Sequence, residues 1–263
     1  MLLTHSNNTK TYYQEYGDPS NKAMLLLHGI GADHNMWKPQ VQEFAEKGYY
    51  VLVPDMLGHG QSSKVDSLEL KDWHQQINDL AEERKLDKFI LVGVSMGGVI
   101  AQSYVVNYPD KVKALILSDT FAEVSNLKEK LPAFSHLAGL HIYKLLGHKA
   151  LEKSMKSTYN APYAKEAGKY FSEVSKNADF DQLILARKAI NKIDVLNELG
   201  EMDIPVLVMV GDKFGDWFID INRKISNAIK GSQFIILNNA MDPSNLVNPV
   251  DFNNEVLAFL DEH

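Results

Sequence analysis

Phe89-Ile90-Leu91-Val92-Gly93-Val94-Ser95-Met96-Gly97-Gly98 is the stretch that decides how this chain folds. The apolar run Phe89 to Val92 stops at Gly93-x-Ser95-x-Gly97. A helix-like pattern follows from Val99 to Tyr108 and ends at Pro109. Strand, sharp turn and helix in that order form an elbow, with a serine on a strained turn and glycines that let two backbones pass close together. The serine hydroxyl then stands at the top of a sheet, against a helix N-terminus. A glycine-serine-glycine spacing alone is an ordinary loop pattern; the strand before it and the helix after it make Ser95 a candidate nucleophile.

Working outward, the chain alternates strand and helix. Thr11 to Tyr16 reads as a strand that turns at Gly17-Asp18-Pro19, and Ala23 to Leu27 as a buried strand running into the loop His28-Gly29-Ile30-Gly31. Trp37 to Lys47 has helical periodicity, Tyr49 to Pro54 is a third buried strand, and Leu68 to Leu86 a long amphipathic helix. After the elbow come strands at Ala114 to Leu117, Pro205 to Val210 and Gln233 to Leu237, and helices at about Trp217 to Ile229 and at Val250 to Leu260. Alternation of this kind gives an α/β fold, a mostly parallel sheet with helices on both faces.

From about Phe121 to Leu199 the pattern is helical only, with segments at Asn126 to Leu131, His136 to Leu146, Ala150 to Met155, Ala164 to Ser175 and Phe180 to Ile190. This reads as an inserted helical cap, residues 121–199, between the two parts of a core at 1–120 and 200–263. Its apolar stripe, Phe134, Leu137, Leu140, Tyr143, Leu145 and Leu146, is inner packing, or the lining of an apolar pocket over the strand ends.

Composition sets the outer limits. The chain has 263 residues, no cysteine and a formal net charge of -7. That length can bury a large core, and the absence of cysteine excludes disulfides and thiolate metal sites. The negative charge, with no basic cluster, argues against nucleic acid as a partner. A polar start and no long apolar run leave no signal peptide and no membrane span, so a cytoplasmic monomer or homodimer acting on a small molecule is expected. No histidine-carboxylate cluster has metal-ligand spacing, and no dinucleotide glycine pattern opens a helix, so neither metal nor organic cofactor is expected.

Taken together, His28-Gly29-Ile30-Gly31, Asp55-Met56-Leu57-Gly58-His59-Gly60-Gln61-Ser62, the elbow, Pro205 to Gly211 and Asn248-Pro249-Val250-Asp251-Phe252-Asn253 resemble the α/β-hydrolase family. Within it the resemblance is to small capped bacterial carboxylesterases and enol-lactonase-like enzymes. It implies the α/β-hydrolase fold with an eight-stranded sheet, Ser95 as nucleophile, and the backbone N–H groups of Ile30 and Met96 as an oxyanion hole. It also places His28, Gly29, Phe214, Met241, Leu137 and Leu140 around a pocket. The same resemblance implies an acid after the Pro205–Val210 strand and a histidine after the Gln233–Leu237 strand.

There the sequence departs from the pattern. The acid position holds Phe214, and the histidine slot holds Met241-Asp242. A serine hydroxyl is a poor nucleophile without a base, and loss of a triad member leaves roughly 10³–10⁴-fold acceleration over water. Asp212, Asp216 or Asp119 could supply an acid, Asp119 lying where some family members keep theirs. None helps without a histidine. His28 and His59 belong to loop motifs; His136, His141 and His148 fall on a solvated face of the cap; His5, His34, His74 and His263 read as surface residues.

Changes confined to two loops beside an intact elbow point to an engineered site rather than scattered decay, with native ester hydrolysis weak or lost. In one form of that reading Asp242 is a general base that takes a proton from carbon while Phe214 stacks on the substrate. The others are a binding module for a small apolar ligand, and a residual esterase in which Ser95 acylates and deacylation stalls.

Overall fold

The computed structural model describes residues 1–263. Eight strands form one sheet in the order β1-β2-β4-β3-β5-β6-β7-β8. They are β1 Leu2–Thr4, β2 Lys10–Tyr16, β3 Lys22–Leu27, β4 Tyr49–Pro54, β5 Phe89–Val94, β6 Val112–Ser118, β7 Val206–Gly211 and β8 Gln233–Leu237. Pairings β1–β2 and β2–β4 are antiparallel and all others parallel. The parallel strands are near-continuous runs of Leu, Ile and Val because both faces are covered, and the side chains of β4, β5 and β7 are buried without exception. Alternate residues of β5 enter opposite layers: Phe89 and Leu91 join the apolar cluster on one face, Ile90 and Val92 the cluster on the other.

The helices of the core are α1 Lys38–Glu46, α2 Leu70–Glu83, α3 Met96–Asn107, α9 Asp216–Ala228, the short α10 Ser244–Val247 and α11 Pro249–Asp261. Between β6 and β7 the chain is helical: α4 Leu127–Leu146, α5 His148–Thr158, α6 Lys165–Ser175, α7 Phe180–Ile190 and the short α8 Leu196–Leu199. An isolated antiparallel bridge, Glu123 to Asp194, ties the two ends of this insertion together. No helix is long and apolar enough to cross a membrane.

Four secondary-structure features differ from the sequence reading. Leu2–Thr4 forms an added edge strand on β2; three residues are too few to show alternation. Helix α2 is shorter than its apolar periodicity, because Glu69 and Asp72 cap its start reciprocally. Helix α4 runs through Pro132, where the reading breaks it in two: a capping box between Asn126 and Glu129 secures the first turn, so the hydrogen bond lost at the proline is tolerated. The stripe on α4 is not an inner face throughout, since Phe134 is 70% exposed and Leu145 87%.

Three histidines read as surface residues are buried, because each finds partners that lie far away in sequence. His5 sits between Asp79 and Thr11, His34 binds Asp55 through Nδ1 at 2.8 Å, and His74 stands edge-on to Tyr104 and Tyr108. Burial holds His74 neutral, with its pKa pushed down to about 4.

The tightest constraint in the core is the seat of α3. A methyl group on Gly97 would stand 2.0 Å from the Leu27 carbonyl oxygen. Gly97→Ala is therefore expected to lose at least about 3 kcal/mol of stability, read from urea unfolding followed by circular dichroism.

Candidate active site

The elbow is built from the backbone up. Ser95 has φ 55° and ψ -117°, a left-handed conformation that a non-glycine residue holds only where the surroundings enforce it. Here its N–H donates to the Ser118 carbonyl at 2.9 Å, and its own carbonyl accepts from the Thr120 hydroxyl at 2.9 Å. The glycine-rich loop after β3 lies beside it: a methyl on Gly29 would come within 3.4 Å of the Ser95 Cβ. The N–H groups of Ile30 and Met96 donate to no protein acceptor, and Met96 opens α3. They are donors left free at a helix start and at a loop next to the serine.

Ser95 Oγ donates to Asp242 Oδ2 at 2.9 Å. Asp242 lies on the loop after β8, in the slot where the resemblance implies a histidine, and the Tyr159 hydroxyl, just past α5, donates to its backbone carbonyl at 2.8 Å. The insertion thus holds the loop that carries the serine's partner. It also grips the loop after β3, where the Tyr170 hydroxyl donates to Asp33 Oδ1 at 2.9 Å and accepts from the Asp33 N–H at 2.8 Å.

Beneath lies a second buried carboxyl. Asp119, at the end of β6, accepts four hydrogen bonds: from the N–H of Gly211, the N–H and hydroxyl of Ser244, and the hydroxyl of Ser118, at 2.8–2.9 Å. Burial raises the pKa of both acids. For Asp119 the four donors oppose that rise. For Asp242 the charge of Asp119 adds to the effect of burial, and only the Ser95 hydroxyl and the Arg187 charge oppose it. The pair therefore keeps one proton well above the ordinary carboxylate range, and the donor count places it on Asp242.

Ser95 and Asp242 open into a cleft bordered by Phe214, Trp217 and Phe218 of the core and by Phe121, Pro132, His136 and Arg187 of the insertion. Phe214 leans on Phe218, with ring centroids 4.8 Å apart. His136 is exposed, as its place on a solvated face implies, and it also borders this cleft, where partial desolvation and then the Arg187 charge lower its pKa. Arg187 is a site residue that the sequence reading missed.

Other expected lining residues lie elsewhere. His28 is fully buried as a loop brace, its Nδ1 on the Gly29 carbonyl at 2.8 Å and its Nε2 accepting from the Met56 N–H at 3.0 Å. Met241 is directed into the core layer shared with Met209 and Leu246, because its neighbour Asp242 takes the cleft side. Leu137 borders a surface groove with Leu68 and Leu185, and Leu140 does not reach the cleft. Gly29 contributes the close backbone behind Ser95 rather than a wall.

Residues 22–249 match the family model described as alpha/beta hydrolase fold. The chain belongs to the alpha/beta hydrolase fold family. Among hydrolases of known identity, Lipase 1 of Psychrobacter immobilis is 30% identical over 221 residues, covering 80% of this chain and 68% of the lipase. The (E)-2-((N-methylformamido)methylene)succinate hydrolase of Acinetobacter baylyi is 26% identical, over 98% of this chain and 97% of that enzyme. The crystal structure of the enol-lactonase from Burkholderia xenovorans LB400 superposes with a TM-score of 0.86 at 22% identity, covering 99% of this chain and 100% of that one, a likeness of fold.

The proton on Asp242 has a stability consequence. In the unfolded chain this carboxyl ionises near pH 4, so folding above that pH must take up a proton or bury a charge, and the cost grows until pH passes the raised folded value. Asp242→Asn removes the cost. It is expected to raise Tm by about 3 °C at pH 8, less at pH 5 and not at all at pH 3, measured by differential scanning calorimetry.

Proposed function

We propose that this chain is a carboxylic-ester hydrolase in which Asp242 stands in for histidine as the base on Ser95, and that its turnover at neutral pH is weak. The observation that carries the reading is the 2.9 Å contact between Ser95 Oγ and Asp242 Oδ2. In the first step Ser95 Oγ attacks the acyl carbon while its proton passes to the Asp242 carboxylate. The N–H groups of Ile30 and Met96 take the negative charge of the tetrahedral oxygen. Collapse breaks the bond to the alkoxy group, which leaves with the proton from Asp242. Water then attacks the acyl-enzyme along the same route in reverse, and its proton returns through Asp242 to Ser95.

The elevated pKa of Asp242 has two opposed effects. A carboxylate whose pKa is drawn toward the working pH is a stronger base than an ordinary aspartate. Only the ionised fraction can act, however, and the raised pKa makes that fraction smaller at any given pH than for an ordinary aspartate. The acid form predominates below the raised pKa, so the rate must climb as pH rises through it. A second reading, proton abstraction from carbon by Asp242, is favoured by Phe214 lining the same cleft as that carboxyl.

The deciding experiment is labelling by a fluorophosphonate and turnover of p-nitrophenyl butyrate, followed from pH 5 to 9. The chain is expected to label slowly, with kcat/KM rising with pH, and Ser95→Ala to abolish both. Asp242→His alone should accelerate turnover by about 10²–10³-fold at pH 7.5, with Asp119 as the acid behind it, and adding Phe214→Asp should add little. Equal rates in the chain and in Ser95→Ala would overturn the ester reading. If an acidic carbon substrate is consumed by Ser95→Ala but not by Asp242→Asn, the second reading holds.

A further inference from the structure

The Ser95 cleft contains a cation with no ion pair in contact. Arg187 projects from α7 and is only 9% exposed, yet it makes no ion pair and its Nε is buried without a hydrogen-bond partner. Its guanidinium lies 5.7 Å over the Phe121 ring, which orients it but cannot accept its N–H groups. Burial pushes its pKa down to about 10, so it remains charged at neutral pH. A buried guanidinium left in this state is costly unless an anion completes it.

The protein's own acids do not fill that role. Of the carboxyls on the cleft wall, Glu123 and Glu129 are both taken by Lys224, Glu129 at 3.2 Å. Glu129 is further occupied by the N–H and hydroxyl of Ser125 at 2.8 and 3.1 Å. Asp119 is surrounded by its four donors, and Asp242 makes its contact with Ser95 and acts on Arg187 through its charge alone, with no hydrogen bond or ion pair between them. Apart from His136, the remaining wall, with Phe214, Trp217, Phe218 and Ile221, is apolar. The cleft therefore brings together a nucleophile, a planar cation with forked N–H donors and no ion pair, and apolar side chains.

We propose that the cleft takes a small organic ester that carries a free carboxylate, and that Arg187 holds that carboxylate. A guanidinium pairs a carboxylate through two parallel N–H···O bonds, and for a largely buried arginine such bonds carry more than surface pairs do. The ester carbonyl of such a molecule is then directed toward Ser95. The role of that carbonyl rests on the ester-hydrolase reading above; the carboxylate contact does not.

The test separates the two by measuring binding without turnover. On the full-length Ser95→Ala chain, isothermal titration calorimetry compares monomethyl glutarate with the neutral dimethyl glutarate at pH 7.5. The monoester is expected to bind at least about tenfold more tightly. Arg187→Met, checked by circular dichroism for an intact fold, should abolish the preference, and Arg187→Lys should keep part of it. Equal affinities for the two esters would overturn the assignment without any arginine variant, and so would an undiminished preference in folded Arg187→Met. A chain that never hydrolyses an ester but prefers the monoester refutes the catalytic reading and leaves this one standing.

Discussion

Everything at the site follows from one close approach, the backbone of Gly97 against the carbonyl of Leu27. It lets α3 start directly above the end of β3, and that position forces Ser95 into its left-handed conformation. Parallel strands deliver the rest. Because β3, β5, β6, β7 and β8 all run the same way, the loops that follow them carry Ile30, Ser95, Asp119, Phe214 and Asp242 to one edge of the sheet. The convergence is a property of the sheet and is insensitive to which side chains occupy the loops.

That separation explains how a site can keep its shape while its chemistry changes. Asp242 reaches the serine as a histidine in that slot would, but with a different charge balance. An imidazole between a hydroxyl and an acid is neutral at rest and gains charge next to an anion. A carboxyl in the same place is neutral at rest only by holding a proton, and must lose it next to another anion, Asp119. Hydrogen bonding is conserved in geometry and reversed in electrostatic sense.

The fold was readable because each parallel strand is an unbroken apolar run and the elbow ties one strand to one helix. What lay out of reach were side chains whose meaning depends on distant neighbours. Asp242 could be placed in a loop but not aimed, since one residue of rotation exchanges it with Met241, and only the assembled loop shows which of the two enters the core. Arg187 sits in a helix of mixed pattern, where an arginine ordinarily reads as a solvated face; no local spacing announces that α7 packs over a cleft. His5, His34 and His74 were misplaced for the same reason. On α4 the exposed Phe134 and Leu145 show that apolar periodicity marks a face, not what covers it.

The hydroxyl of Tyr159 on the Asp242 carbonyl gives the insertion a further property. The loop that bears the titrating carboxyl is fastened to the same segment that shields it from water. If that segment lifts, the loop is released and solvent enters together, and hydration returns the acid toward its ordinary strength. If it settles, the acid is dried and recaptures a proton. Any movement of the insertion is therefore linked to the protonation of Asp242.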